Sequence, residues 1–426
     1  MTALEKVEKP SKEAVVLFLG NARPSEYAYF KENKLSIALL HDKHCPISYP
    51  PEGDFVRVIT TDSTPEALFG AFQQLQTGYV VTAQIAAVET AVLDNALLAT
   101  KTGLPAPSVG AAQIALRKPE MRKFFEQCLG PKSTSASALI RDENELTAFS
   151  SGNGYPIILK PTNLFGSMFV TKSHTLDELV KNYNWMTREI RQHLDDNGRA
   201  CEAVEVQAET YLDGSSHSID CIVDGDGVAV PTEVVDVLTE RDFGVDKVQH
   251  FARFSPSLLS SEKQEECKAF AGRAVRALGL KYCVAHVEFI YTKDGPKLLE
   301  IAARPGGNRV HLMKEVFGID IMAAYHAALM VRPINTQPKM VKPRAIVSIY
   351  PEARGTFNQV QNVQGIRSLP GYVRHGVRVA AGEIVGPASA GFLPTLSVEL
   401  ARSGIAELVA SINAVRELGQ LIALAE

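Results

Sequence analysis

The stretch AHVEFIYTKDGPKLLEIAARPGGNR, residues 285–309, decides how this chain folds and what it does. Two short apolar segments flank the tripeptide 293–295, Lys-Asp-Gly, and this pattern predicts a β-hairpin with a three-residue loop. Glycine suits the end of such a loop because it adopts left-handed backbone conformations without strain. Counting outward from the loop places Glu288 directly opposite Glu300, so the two carboxylates are expected roughly 5 Å apart on one face.

The register of this hairpin determines which side chains share a face. A three-residue loop pairs Thr292 with Pro296, and the alternation of strands then gives the glutamate face and an apolar face. A two-residue Asp294-Gly295 turn is the alternative, and it would separate the glutamates onto opposite faces. The apolar stripe favours the shared face. The glutamate face is expected to include His286, Ile290 and Leu298, and the apolar face Val287, Phe289, Leu299 and Ile301.

Two carboxylates held side by side repel each other unless a cation lies between them. Magnesium is bound in proteins by one or two carboxylates together with substrate phosphates. Glu288 and Glu300 are therefore predicted metal ligands, and Arg304 follows them closely enough to face the same cluster of charge.

Length and composition restrict the possible classes of protein. The chain has 426 residues, which predicts two to four domains, and its 46% hydrophobic and 22% charged residues are typical of soluble globular proteins. The net charge of −4 offers no basic surface for nucleic acid. The six cysteines show no metal-binding or disulfide spacing, and no segment resembles a signal peptide or membrane span. We therefore expect a cytoplasmic protein without nucleic-acid or membrane partners.

The alternation of apolar runs and helical patterns predicts a mixed α/β and α+β chain. Residues 15–110 show four short strands, with helices near 64–76 and 84–102, which indicates an open parallel sheet. The turn after the first strand, residues 20–23, lacks the GxGxxG pattern that a nicotinamide-dependent dehydrogenase would need. Further along, residues 239–261 have no clear period and are interpreted as a long loop that could act as a lid.

Three segments in this order resemble the ATP-grasp carboxylate–amine ligases: YPIILKP, VQAETYLDGSSHSID and HVEFI…LLEIAARPGGN. Within that family the chain looks most like the bacterial L-amino-acid (dipeptide) ligases. The resemblance implies a parallel α/β domain at 1–110, a two-lobed nucleotide clamp with antiparallel sheets at 111–200 and 201–335, and a small β-rich lid domain at 336–426.

The resemblance also implies roles for individual residues. Lys118 and Lys160 would contact the phosphates of ATP, with Lys160 and Arg304 acting in catalysis, and Glu288 and Glu300 would bind Mg²⁺ or Mn²⁺, with two ions expected. The remaining residues with implied roles are Gly166 and Ser167 in a flap over the phosphates, Glu209, Tyr211, Leu212 and Ser216 around adenine and ribose, and Arg304, Gly306, Gly307 and His250 around the other substrates.

Two positions depart from the family pattern. Ser216 occupies the place of a glutamate that binds the ribose hydroxyls, and Ala302 occupies the place of an asparagine that completes the metal site. Asn308 or a water molecule is the expected replacement for that asparagine.

The implied activity is ATP-dependent amide formation between amino acids, or between an amino acid and a related carboxylate, through an acyl phosphate. A homodimer is also implied. The alternatives are an ATP-grasp carboxylase or purine-type ligase that uses another carboxylate, and a nucleotide-binding regulator without catalysis.

Overall fold

The computed structural model describes residues 12–43, 53–162, 164, 168–196 and 202–425. Over these residues the chain forms four β-sheets flanked by helices, which confirms the mixed α/β and α+β class. No helix within these ranges is both long enough and apolar enough to cross a membrane.

The N-terminal region is an open sheet of four parallel strands. Its elements are β1 (Glu13–Leu19), α1 (Pro24–Glu32), β2 (Ile37–Asp42), β3 (Arg57–Thr61), α2 (Pro65–Gln76), β4 (Tyr79–Ala86) and α3 (Val92–Thr102). All its strand pairs are parallel, as the βα alternation predicts, and the strand order is β3-β2-β1-β4. The helix expected at 84–102 begins only at Val92, because the apolar run after Tyr79 continues in β4 beside β1. Helix α1 was not predicted from the sequence.

The second region is a small antiparallel sheet covered by helices. Its elements are α4 (Val109–Leu116), α5 (Lys118–Leu129), β5 (Ser137–Ile140), α6 (Glu143–Asn153), β6 (Ile157–Pro161), β7 (Thr171–Ser173), α7 (Leu176–Asp196) and β8 (Val206–Thr210). The strand order is β5-β8-β6-β7. Helix α7 is amphipathic, and its apolar face, including Met186 and Ile190, is buried with Leu159 of β6. This packing fixes the strand that carries Lys160.

A third sheet runs from the middle of the chain into its C-terminal region. The first elements are β9 (Gly214–Val223), β10 (Ala229–Pro231), β11 (Val235–Thr239), β12 (His250–Ser255), α8 (Ser261–Ala277), β13 (Cys283–Thr292), β14 (Gly295–Ala302), α9 (Arg309–Phe317) and α10 (Ile321–Leu329). The later ones are β15 (Arg344–Ile349), β16 (Gly355–Val360), α11 (Val363–Arg367), β17 (Tyr372–Val377), β18 (Ile384–Val385), β19 (Leu396–Ala401), α12 (Ile405–Glu417) and β20 (Ile422–Leu424).

The order in this large sheet is β14-β13-β9-β11-β12-β15-β19-β17, with β10 paired to β9. Strands β16, β18 and β20 form a separate three-stranded sheet. The large sheet crosses the expected boundary between 335 and 336, because β15 pairs with β12 in antiparallel register. The domain limits inferred from the sequence stay predictions.

The interpretation of residues 239–261 as one long loop is wrong. Residues 250–255 form β12, an internal strand of the large sheet that lies between β11 and β15. The strand escaped notice because Arg253 and Ser255 interrupt its apolar pattern, although Phe251 and Phe254 are buried. A central strand cannot open as a lid, so the proposed lid role is withdrawn for this part of the segment.

The two faces of the large sheet have different coverings. Helices α8 and α12 pack on the face that carries Val287 and Phe254. Helix α9 packs on the opposite face with Val235 and Ile346. The glutamate of β13 lies on the α9 side, since strand residues alternate between faces.

Candidate active site

Glu288 and Glu300 are directly paired across β13 and β14, as the sequence predicts. The loop that joins the strands is different from both expected loops: Thr292 pairs with Gly295, so only Lys293 and Asp294 are left in the turn. The pairing of the glutamates is restored by an irregularity that places one extra residue in β14 between Leu298 and Glu300.

This β-bulge corrects the predicted faces of the hairpin. Leu298 pairs with Phe289 and is fully buried on the apolar face, rather than on the glutamate face. Leu299 is the extra residue of the bulge and is only partly buried, rather than part of the apolar face. Bulges of this kind re-aim side chains, and here the effect is to bring the second carboxylate back to the first.

Glu288 is held in place by a short relay of side chains. Its Oε1 lies 3.2 Å from His286 Nε2, and His286 Nδ1 lies 2.6 Å from Asp220 Oδ1. The other oxygen of Asp220 accepts a 3.0 Å hydrogen bond from the backbone N–H of Gly306. Burial acts to raise the pKa of Glu288, but His286, His250 and Arg309 outweigh it and hold that pKa well below its usual value. The carboxylate is therefore ionised and ready to bind a cation.

His286, the middle residue of this relay, has a raised pKa and packs closely against Gly306. Burial acts to lower its pKa, but Asp220 and Glu288 outweigh burial and raise it. Gly306 is needed beside it, since a Cβ at that position would lie 2.4 Å from His286 Nδ1. The segment after Glu300 therefore packs closely against His286, and only glycine at position 306 permits this approach.

Glu300 connects the hairpin to the preceding region of the chain. Its Oε2 lies 3.7 Å from Lys118 Nζ at the start of α5, and the same ammonium donates a 2.8 Å hydrogen bond to the carbonyl of Leu164. Leu164 belongs to the segment expected to form a flap. Gly166 and Ser167, the two flap residues singled out from the sequence, lie outside the described residues.

Lys160 and Glu209 form a buried ionic cluster with Arg122. Lys160 Nζ and Arg122 Nε lie 2.7 Å and 2.8 Å from the same oxygen, Glu209 Oε1. Burial acts to raise the pKa of Glu209, but Arg122 and Lys160 outweigh it and hold that pKa at about 2. Burial lowers the pKa of Lys160 to about 8, with help from Arg122 and against the attraction of Glu209.

Both pKa values are lowered, which favours the charged form of Glu209 and the neutral form of Lys160. The charged form of Glu209 is favoured despite burial, because Arg122 and Lys160 attract it. The neutral form of Lys160 is favoured chiefly because the ammonium is buried. Arg122 donates to Glu209 through its Nε alone. Its two terminal nitrogens have no hydrogen-bond partner and are buried. The cluster therefore has a surplus positive charge, which suits an anionic ligand such as a phosphate group.

Arg304 is linked to the N-terminal region. Its Nε lies 2.7 Å from Glu89 Oε2, and its Nη1 donates a 3.0 Å hydrogen bond to the carbonyl of Pro305. Burial acts to lower the pKa of Arg304, but Glu89, Glu300 and Glu288 outweigh burial and raise it. Arg304 is thus within electrostatic reach of both paired glutamates, while Glu89 orients its guanidinium.

The expected adenine and ribose residues lie at the start of β9 and just before it. Tyr211 accepts a hydrogen bond at its hydroxyl from Arg241, and Lys172 Nζ lies 4.3 Å from the centre of its ring. Ser216 pairs with Ile290 and Val237, so its side chain points to the same face as Glu288. Leu212 is partly buried beside Tyr211.

His250 and Gly307 lie nearer to α9. His250 Nδ1 accepts a 2.8 Å hydrogen bond from Arg253 Nη2, and burial together with Arg253 lowers its pKa to about 4. Gly307 accepts a 3.0 Å hydrogen bond at its carbonyl from Arg309 Nη1. Asn308 caps the N-terminus of α9 with a left-handed backbone, at φ 63°. Its role in metal binding stays a prediction.

Several residues of the site escaped the sequence analysis. One signal was available for Asp220, because Ser216, Ser218 and Asp220 put polar side chains at every second position of β9. Arg122 and Glu89 carry no local signal, since their partners lie 87 and 215 residues away in the chain.

The donor set fits magnesium. Among the described residues no group of three or more His, Cys, Asp or Glu side chains could enclose a metal ion. Two carboxylates on one face nevertheless suit Mg²⁺, which binds one or two carboxylates when substrate phosphates and water supply its other ligands. Glu288 and Glu300 are the residues that would hold it.

Comparison with known proteins relates part of this chain to a described domain family. Residues 153–311 match the model of the ATP-grasp domain. The chain is 25% identical over 315 residues to an alanine–anticapsin ligase of Bacillus amyloliquefaciens, covering 68% of this chain and 63% of that protein. It is 22% identical over 335 residues to the uncharacterized protein y4rH of Sinorhizobium fredii, covering 76% and 66%. The chain thus spans less than two thirds of the length of these relatives.

Solved structures show the same fold. An L-amino acid ligase from Bacillus licheniformis superimposes with a TM-score of 0.78 at 17% identity, covering 98% of this chain and 100% of that one. An N5-carboxyaminoimidazole ribonucleotide synthetase from Thermotoga maritima gives a TM-score of 0.68 at 15% identity, covering 97% and 99%. At these identities the likeness establishes the fold and nothing about substrates.

Proposed function

We propose that this chain, which contains an ATP-grasp domain at residues 153–311, is a ligase that joins a carboxylate to an amine with ATP. The products would be an amide or peptide, ADP and phosphate. The observation that carries this proposal is the direct pairing of Glu288 with Glu300, beside Lys118 and Arg304.

The substrate class is proposed from the relatives. One of the relatives, the alanine–anticapsin ligase, names an amino acid, alanine, as one of the two compounds that it joins. We infer that this chain also uses an amino acid, or an amino acid and a related carboxylate.

The residues of the site divide into those that hold phosphates and those that orient the reacting carboxylate. Lys160 contacts Glu209, and Lys118 donates a hydrogen bond to the carbonyl of Leu164. We infer that these two cationic side chains bind the triphosphate of ATP. A bound magnesium ion would neutralise the phosphate charges and align them for transfer. Glu288 and Glu300 would hold that ion, and the relay through His286 keeps Glu288 in its orientation.

The reaction has two steps. In the first, an oxygen of the substrate carboxylate attacks the γ-phosphorus of ATP, the bond to the β-phosphate oxygen breaks, and an acyl phosphate and ADP form. In the second, a neutral amine attacks the acyl carbon, phosphate leaves and the amine loses a proton. Arg304, which interacts electrostatically with Glu288 and Glu300, would stabilise the oxygen charge that develops in the second step, because a guanidinium binds such oxygens in a bidentate manner.

Phosphate release from ATP in the presence of amino-acid mixtures, with mass spectrometry of the products, tests the proposal. Release that depends on two amino acids, with a product lighter than their sum by one water, supports a peptide ligase. Release that depends on bicarbonate instead would identify a carboxylase, and ATP binding without turnover would identify a regulator. Either of the last two results would refute the proposed function.

A further inference from the structure

Two arginines outside the expected set flank the site on the glutamate face of the large sheet. Arg253 lies in β12 and pairs with Val237, which in turn pairs with Ser216 on that face. Arg309 is the first residue of α9, the helix that covers the same face. We call Arg253 and Arg309 the arginine pair.

Among the described residues, every hydrogen-bond partner of the arginine pair is a neutral group. Arg253 donates to His250 Nδ1 at 2.8 Å and to Ser348 Oγ at 3.5 Å. Arg309 donates to Ser218 Oγ at 2.8 Å and to the carbonyl of Gly307 at 3.0 Å. Within the described part of the chain, neither guanidinium has a carboxylate within 4 Å.

A buried guanidinium without a carboxylate partner is an unusual feature. Arg309 is 2% exposed, and burial together with the neighbouring Arg253 lowers its pKa to about 9. Removing an unpaired charge from water costs far more than burying a paired one, so native proteins pair buried charges or use them to bind ligands. His250 offers no compensation, because burial and Arg253 keep its imidazole neutral at pH 7.

The nearest acidic groups have other partners. Glu288 acts electrostatically on both arginines but is hydrogen-bonded to His286 and is a proposed metal ligand. Asp220 is bonded to His286 and to the backbone of Gly306. The positive charge of the arginine pair is therefore available to an anion that enters the site from outside the chain.

We propose that the arginine pair binds a substrate carboxylate that is not phosphorylated, so that the site accommodates two carboxylates with different fates. This inference rests on the proposed ligase function. A guanidinium presents parallel N–H groups that match the two oxygens of a carboxylate. The second carboxylate has two possible sources with the same chemistry: the α-carboxylate of an amino acid that supplies the amine, or the far carboxylate of a diacid that is activated at its other end.

Binding without turnover tests the arginine pair directly. Calorimetric titration with succinate, and with butyrate as its one-carboxylate counterpart, is carried out on the wild type, Arg253→Met, Arg253→Lys and Arg276→Met. Arg276 is an exposed arginine at the end of α8, on the other face of the sheet, and serves as the matched control. Thermal unfolding with and without MgATP shows whether each variant is folded.

We expect succinate to bind the wild type and Arg276→Met equally, and to bind Arg253→Met roughly tenfold or more weakly, as for loss of a hydrogen bond to a charged group. Arg253→Lys should fall between them, because an ammonium retains the charge but not the two parallel donors. Equal succinate affinity in the wild type and a folded Arg253→Met, or no succinate binding to the wild type, would overturn the inference.

Turnover then distinguishes the two sources. The carboxylate belongs to the amine substrate if ATP turns over with alanine but not with ethylamine, and if the rate is the same with butyrate and succinate as the acid. Turnover with succinate but not with butyrate assigns it to the acid. If ethylamine supports the same turnover as alanine, and butyrate the same turnover as succinate, the arginine pair is not a substrate site. Arg253-dependent succinate binding without any ATP turnover would instead leave the carboxylate site standing and refute the ligase proposal.

Discussion

Glu288 and Glu300 face each other across a hairpin whose turn is one residue shorter than the loop that would align them. The shorter turn shifts the register near the loop, and the bulge at Leu299 shifts it back before the glutamates are reached. The pairing of the two carboxylates thus depends on two irregularities that cancel, and each can be changed by mutation.

Removing one of the paired charges should stop catalysis without unfolding the protein. We expect Glu300→Gln to lower ATP turnover roughly 10³-fold or more, since groups that stabilise developing charge contribute effects of this size. Phosphate release measures the rate, and circular dichroism monitors the fold. Glu262→Gln, at an exposed glutamate of α8, is the control and should match the wild type. Turnover near the wild-type rate in Glu300→Gln would contradict the site.

The lowered pKa of Lys160 predicts how ATP binding depends on pH. Its ammonium loses its proton near pH 8 in the free protein, whereas contact with phosphates requires the charged form. The affinity for MgATP should therefore fall as pH rises above about 8, approaching tenfold per pH unit for one required proton. Calorimetric titration from pH 7 to 9.5 measures this. In Lys160→Arg the dependence should vanish, because arginine stays protonated, and equal slopes in both proteins would refute the assignment.

Arg122 is expected to contribute to both stability and nucleotide binding, because it shares the carboxylate of Glu209 with Lys160. We expect Arg122→Met to lower the free energy of unfolding by about 2 kcal/mol or more, because it breaks a fully buried pair with Glu209. The Arg122→Met substitution should also weaken MgATP binding, because Glu209 would then pair with Lys160 alone. Urea unfolding and calorimetry measure the two effects. Lys123→Met changes the exposed neighbouring residue and should do neither.

Glu399 links three structural elements and predicts an acid-dependent contribution to stability. It contacts His311 at 2.9 Å, Arg344 at 2.8 Å and Arg374 at 2.6 Å. Burial acts to raise its pKa, but His311 and Arg374 outweigh burial and lower it to about 2.

The folded state therefore binds this proton at lower pH than the unfolded state does. The contribution of Glu399 is present at neutral pH and is lost as pH falls from about 4.5 towards 2. We expect Glu399→Gln to cost about 2 kcal/mol at pH 6, and the difference from the wild type to shrink as the solution is acidified. Urea unfolding at several pH values tests this, with Glu417→Gln at an exposed position as control. A difference that does not change with pH would contradict it.

The two adjacent glycines after Arg304 should respond differently to alanine. At Gly306 a Cβ would lie 2.4 Å from His286 Nδ1, whereas at Gly307 its nearest neighbour is the end of the flexible Arg23 side chain, 3.3 Å away. Gly306→Ala should therefore destabilise the protein by about 1–3 kcal/mol, and Gly307→Ala by much less. Chemical unfolding of both variants provides the comparison. Equal stabilities would mean that His286 is not fixed as described.

The sequence predicted most of the fold and the central pair of the site for a physical reason. Strand alternation counted from a three-residue loop, with the apolar stripe on β13, predicted that Glu288 and Glu300 share a face. The pairing is present, although a shorter turn and the bulge at Leu299 produce it. The βα alternation predicts the parallel N-terminal sheet. Strand β12 was missed because its inward-facing Arg253 and His250 look like loop residues when read locally. A polar side chain on the site face of a buried strand removes the periodicity by which such strands are recognised.

The order of elements, the facing carboxylates and the strand-terminal Lys160 were determined by the chain itself, because each depends on residues close together in sequence. The tertiary structure alone decided the partners of these groups. Glu89 contacts Arg304, which lies 215 residues away in the chain, and Arg122 contacts Glu209, 87 residues away. Arg253 lies on the glutamate face only because β12 is inserted between β11 and β15. Charges interact through space, so the neighbours that set their pKa values follow from packing and not from spacing along the chain.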